Sequence, residues 1–189
     1  MKVMRGLAIT LLAASAAVIL FPRSTSAQSK READGARLLR GAVDVHFHMD
    51  ATTPSGGSVQ ADLATVRVAR DRGVRGLVIK NHFEPTATVA YLLRKEVPNI
   101  ELFGGLVMNL SNGGMNPAGV DYMATQIAGA PGKIVWMPAG NSEAEARTAK
   151  EPNRPFVAVS KNGELLPATK QVLALIAKHN LTLASGHIA

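Results

Sequence analysis

Gly41-Ala42-Val43-Asp44-Val45-His46-Phe47-His48 (GAVDVHFH) is the stretch that decides the fold. Its valines and phenylalanine suit a strand, and its polar residues fall at every second place. Side chains two apart on a strand point to the same side. His46 and His48 therefore present two imidazoles together, and Asp44 shares their parity as a supporting carboxylate behind them. A dinucleotide-binding fold needs a glycine-rich turn directly after its first strand. Here the strand ends in His-Phe-His, and the nearby Ser55-Gly56-Gly57 lacks the required spacing.

Downstream, two textures alternate. Short apolar runs predict five further strands, at 76–82, 100–108, 133–137, 155–160 and 181–187. Helix-like stretches lie between them. Val59 to Arg72 has apolar residues at helical spacing. Pro85-Thr86 opens a helix with Val89, Leu92, Leu93 and Val97 on one stripe, and Asn116-Pro117 opens another, running to about Ala130. Ser142 followed by Glu145 is a capping-box pattern for a short helix. Pro167 starts the last, with Val172, Leu173, Ile176 and Ala177 on one face.

Strand alternating with helix predicts a parallel α/β sheet with right-handed crossovers. The repeated unit favours a (β/α)8 TIM-type barrel over an open sheet. Only about six β/α units are present, against the eight of a complete barrel of about 250 residues. The expectation is thus a partial barrel over 41–189, from a C-terminally truncated chain.

Upstream, Lys2 and Arg5 precede an apolar run from Gly6 to Phe21, and Thr25-Ser26-Ala27 offers small residues for cleavage. These are the parts of a secretory signal, expected at 1–27. The run is short for a membrane span of about 20 residues. Export to the periplasm or medium is expected, without stable membrane insertion after cleavage; an uncleaved anchor is the alternative. Residues 28–40 read as a polar arm. The formal charge of +7 includes Lys2, Arg5 and Arg23; without them +4 remains, scattered along the chain. No basic–aromatic surface of the nucleic-acid kind is seen. The chain has no cysteine, which excludes thiolate zinc sites, cysteine nucleophiles and a lipoprotein anchor.

Four of the five histidines, His46, His48, His82 and His187, end predicted strands. In a parallel barrel those ends share the face where active sites form. His46 and His48 are the leading metal ligands, with His187 and His82 as the next. Lys80 shares parity with His82 and is the candidate catalytic cation, an electrostatic clamp for a carboxylate or a developing oxyanion. Asn81 and Asn109 are candidate substrate-binding amides. The amide- and glycine-rich run 109–116 lines a polar pocket or is turn chemistry. The single tryptophan, Trp136, reads as core, Lys161-Asn162-Gly163 as a turn, and His179 as a partner of a helix dipole.

The H-x-H at His46 and His48, the later strand-end His187, and the order Lys80-Asn81-His82, Asn-rich loop, Ser185-Gly186-His187 resemble the amidohydrolase superfamily. More narrowly, they resemble an uncharacterised bacterial branch of it. The resemblance spans about 41–189. It implies a distorted barrel holding one or two divalent ions, usually zinc. It implies a hydrolase acting on a small molecule through an amide, ester, lactone or phosphoester bond. The superfamily adds a further histidine and an aspartate on later strands, which are missing here. Its bridging lysine stands on the fourth strand, whereas Lys80 stands on the second. The alternative is a non-catalytic exported binding protein, or a truncated barrel that is inactive.

Overall fold

The computed structural model describes residues 34–49, 63–149 and 153–188. The expected leader, 1–27, lies outside these, as do 28–33 of the expected arm; residues 34–39 are helical. Among the described residues, no helix is long and apolar enough to cross a membrane.

Five strands form one parallel sheet in the order β1-β2-β3-β4-β7, with β1 Val43–His48, β2 Gly76–Lys80, β3 Glu101–Val107, β4 Gly132–Trp136 and β7 Thr182–Ala184. The sheet curls into half a barrel. Helices α1 (Leu63–Asp71), α2 (Ala87–Glu96), α3 (Pro117–Thr125), α4 (Glu143–Thr148) and α5 (Pro167–Lys178) connect it.

Each strand has two faces with different duties. Leu77, Ile79 and Leu102 pack with Val66, Ala90, Leu93 and Val97 beneath α1 and α2. Leu106 and Val135 join Val120, Met123, Val172 and Ile176 beneath α3 and α5. The opposite, concave face carries Val78, Val107, Ile134 and Trp136, with Phe103 and Ala184 against them. Lys80 shares the parity of Val78 and so belongs to the concave face.

Helix starts follow local chemistry. The Asn116 side chain accepts the Gly119 N–H at 2.9 Å ahead of Pro117, and the Ser142 hydroxyl accepts the Glu145 N–H at 3.1 Å. Helix α3 stops at Thr125, short of the expected Ala130. On α2 the buried residues are Ala87, Ala90 and Leu93, while Leu92 is 55 % exposed, so the stripe is rotated from the one expected.

Two sequence expectations need correction. The run 155–160 is not a sheet strand. β4 already pairs with β7, Ile134 opposite Thr182 and Trp136 opposite Ala184, which leaves no slot. The Val159 carbonyl instead accepts the Leu166 N–H and the Thr169 hydroxyl at the start of α5, and Val157 makes a single bridge to Ser142. The end of the run, Ser160, opens β5 (Ser160–Lys161), which pairs with β6 (Glu164–Leu165) in a separate antiparallel hairpin. Asn162 and Gly163 turn it with positive φ, as expected of a turn. Among the described residues the sheet therefore has five strands, not the six expected.

The second correction concerns β1. Its register pairs Asp44 with Leu77, then shifts, and pairs Phe47 with Ile79 and His48 with Lys80. Three steps along β1 answer two along β2, which is a bulge. Strict alternation is broken, and Asp44 pairs with the helix-facing Leu77 while His48 pairs with concave Lys80.

Candidate functional site

The C-terminal ends of β1 and β2 bring four expected residues together. His46 Nε2 and His48 Nε2 stand 3.1 Å apart. Lys80 Nζ stands 3.0 Å from His46 Nε2. The rings of His48 and His82 are tilted neighbours, 5.0 Å between centroids, the same spacing as His46 and His48. The three imidazoles thus form a row along the rim, with the lysine beneath its first member.

The bulge places His46 in this row from the exposed edge strand. Bulges re-aim side chains in this way beside active sites. Asp44 Oδ1 accepts the His46 backbone N–H at 2.9 Å, so the carboxylate fixes the strand rather than touching the imidazole. Its charge still acts on the ring. Partial burial and the neighbouring Lys80 push the His46 imidazole below its ordinary pKa, Asp44 opposes them, and His187 adds a small push downward.

Lys80 is only 1 % exposed. Burial pushes its ammonium below the ordinary lysine range. Among the described residues it makes no ion pair with a carboxylate. Its charge rests instead against His46 and over the Trp136 ring, 5.7 Å from the centroid. Trp136 also meets His46 edge-on, 6.1 Å between centroids. The tryptophan expected in the core is both core and floor of the site. Gly105 makes this packing possible, because a Cβ there would lie 2.4 Å from the Trp136 ring and from the Ile134 carbonyl.

Both candidate amides bond to loop backbone. Asn81 Oδ1 accepts the N–H groups of Phe83 and Glu84, and its Nδ2 donates to the Met49 carbonyl. Asn109 Nδ2 donates to the His82 carbonyl at 3.0 Å, while its Oδ1 accepts the N–H of Ala139 at 2.9 Å and of Asn141 at 3.3 Å. Buried Asn109 thereby ties the loops after β2, β3 and β4 together.

His187 reaches the same rim by another route. Gly186 has φ +62°, and a Cβ there would fall 2.2 Å from the Met137 carbonyl. The His187 N–H donates to the Pro138 carbonyl at 2.9 Å. Its Nδ1 stands 2.8 Å from Glu145 Oε1. His187 contributes to the downward push on His46 without joining the row. Glu145 was legible in the sequence only as a helix cap. His179, the fifth histidine, pairs with Asp121 between α5 and α3, away from the rim.

Nitrogen donors about 2.0–2.1 Å from a tetrahedral zinc stand about 3.3–3.4 Å from one another. The 3.1 Å between His46 and His48 matches that spacing closely, and imidazole suits zinc and its neighbours. These two nitrogens could serve as two ligands of such an ion. Among the described residues, no three His, Cys, Asp or Glu side chains converge as a complete metal-holding set. An ion on His46 and His48 would need a further donor, and the histidines near them are His82 and His187.

No curated protein and no solved structure matches the chain. Residues 41–189 match the model of a family of unknown function (DUF6282), a span that covers the whole half-barrel, and the chain belongs to that family.

Proposed function

We propose that the chain is a metal-dependent hydrolase of the amidohydrolase kind, with the half-barrel as part of a TIM-type barrel. The reading is carried by one observation, the 3.1 Å approach of His46 Nε2 and His48 Nε2 above a buried lysine at a parallel-sheet rim. His46 and His48 would hold a divalent ion, zinc by preference, with His82 and His187 as the neighbouring donors. Such an ion, when bound, lowers the pKa of a water ligand toward neutrality and polarises a carbonyl or phosphoryl oxygen.

The chain's own residues supply the rest. Lys80 contributes a fixed positive charge from beneath the row, where negative charge on a reacting oxygen is stabilised. The nearly fully buried Trp136 ring lies against that charge, and Lys80 is itself shielded from water. Asn81 and Asn109 hold the rim loops in place, and with them the direction of His82. The substrate is a small molecule with an amide, ester, lactone or phosphoester bond. The leader-like pattern of residues 1–27 supports export, with the activity in the periplasm or the medium.

The test compares the purified chain with a His46→Ala/His48→Ala variant for bound zinc and manganese, then for hydrolysis of an ester, lactone, amide and phosphoester panel. Metal in the parent, lost from the variant together with activity on one class, is expected. Equal metal in both would remove the site.

A further inference from the structure

The capping pattern at Ser142 is only half completed. In a full capping box the third helical residue returns its side chain to the N–H of the cap. Here the Ser142 N–H goes to the Ala139 carbonyl, and Glu145 turns its carboxylate elsewhere, onto His187 Nδ1 at 2.8 Å. The two residues lie 42 positions apart and on different elements.

Three contacts fix this pair. Ser142, fully buried, holds the Glu145 N–H and so sets where the carboxylate starts. The Pro138 carbonyl holds the His187 N–H, and the Met137 carbonyl permits only glycine before it. All three come from the segment that follows β4. The imidazole is therefore held by backbone and by side chain to one stretch of chain.

We infer that Glu145 is a positioning residue: it keeps the His187 proton on Nδ1 and leaves Nε2 bare, on the side of the ring away from the carboxylate. A carboxylate only accepts, so Nδ1 must donate. A bare Nε2 is the form a histidine needs to take a metal ion or a proton from substrate. Free neutral imidazole side chains favour the opposite form. Without Glu145, His187 arrives at the rim with the wrong nitrogen protonated. The consequence for metal rests on the hydrolase reading above; the tautomer does not.

The test is nitrogen-15 NMR of the His187 side chain in the full chain, at about pH 9, above the ordinary imidazole range. A His187→Gln variant assigns the signals. The parent is expected to show Nδ1 protonated and Nε2 bare. Glu145→Ala should shift His187 toward the Nε2-protonated form. Glu145→Gln, whose carbonyl still accepts, should restore the parent pattern. The cap uses the Glu145 backbone, so neither variant removes it. Zinc titration of the same proteins should show about 10-fold or greater weakening in Glu145→Ala. A parent protonated on Nε2 overturns the inference, as does Glu145→Ala with the parent's tautomer. The expected tautomers with no zinc bound by the parent would sink the hydrolase reading and leave the positioning role standing. Expected tautomers with zinc affinity unchanged in Glu145→Ala would confine Glu145 to setting the tautomer.

Discussion

The middle of the sheet and its edges are built on different terms. Strands β2, β3 and β4 are largely buried on both faces, and the buried polar residues that flank them, Thr86, Asn109 and Asn81, each bond to backbone. Strands β1 and β7 are edges among the described residues, with Val45 59 % exposed and Leu183 also exposed. The centre supplies Lys80 and the Trp136 floor, while the edges supply His46, His48 and His187. A buried middle thus holds the charge, and the more exposed edges hold the donors.

The contrast can be broken most sharply at Gly105. An alanine there meets the Ile134 carbonyl and the Trp136 ring at 2.4 Å, so Gly105→Ala should destabilise by about 3 kcal/mol or more, and urea unfolding will show it. A variant as stable as the parent would mean that the centre yields as easily as the edges.

Thr86→Val comes next. The hydroxyl donates to the Ile79 carbonyl at 2.6 Å and accepts the Gly105 N–H at 2.9 Å, joining β2 to β3 in a buried place. Losing both should lower stability by about 2 kcal/mol in the same assay.

Lys80→Met tests the opposite sign. Among the described residues this buried ammonium has no carboxylate partner, which makes it a burden on the fold, so the substitution should raise stability by about 1 kcal/mol. Hydrolysis should fall at the same time. A loss of stability instead would make Lys80 a structural group.

The smallest effect is expected outside the contrast. His179→Ala removes the 2.8 Å contact with Asp121 between α5 and α3, with Asp121 about half exposed. About 0.5 kcal/mol should be lost, with metal content unchanged.

Much of this contrast was legible in the residues. The runs at 41–48, 76–82, 100–108, 133–137 and 181–187 all coincide with sheet strands, because each is rich in the apolar and β-branched residues that suit a pleated sheet. The run 155–160 looked the same and is not one, because a neighbour from farther along the chain had taken the β4 edge. Local pattern cannot report that competition. Parity brought His46 and His48 together but misplaced Asp44, because no residue type announces a bulge. Leu92 matched a helical stripe that the sheet's actual position leaves in solvent. Trp136 was readable as core, and it is buried; Ser142 caps its helix through the Glu145 N–H, but the Glu145 carboxylate leaves the cap. The contacts of Trp136 and Glu145 with Lys80, His46 and His187 depend on elements far apart in sequence. The structure also leaves His187 beside the histidine row, not within it.

The most direct measurement is X-ray absorption on the zinc-loaded full chain. Two or more imidazole nitrogens at about 2.0–2.1 Å from the ion are predicted, with the imidazole signal collapsing in His46→Ala/His48→Ala. An ion bound by oxygen alone, or an imidazole signal that survives the double substitution, would contradict the account.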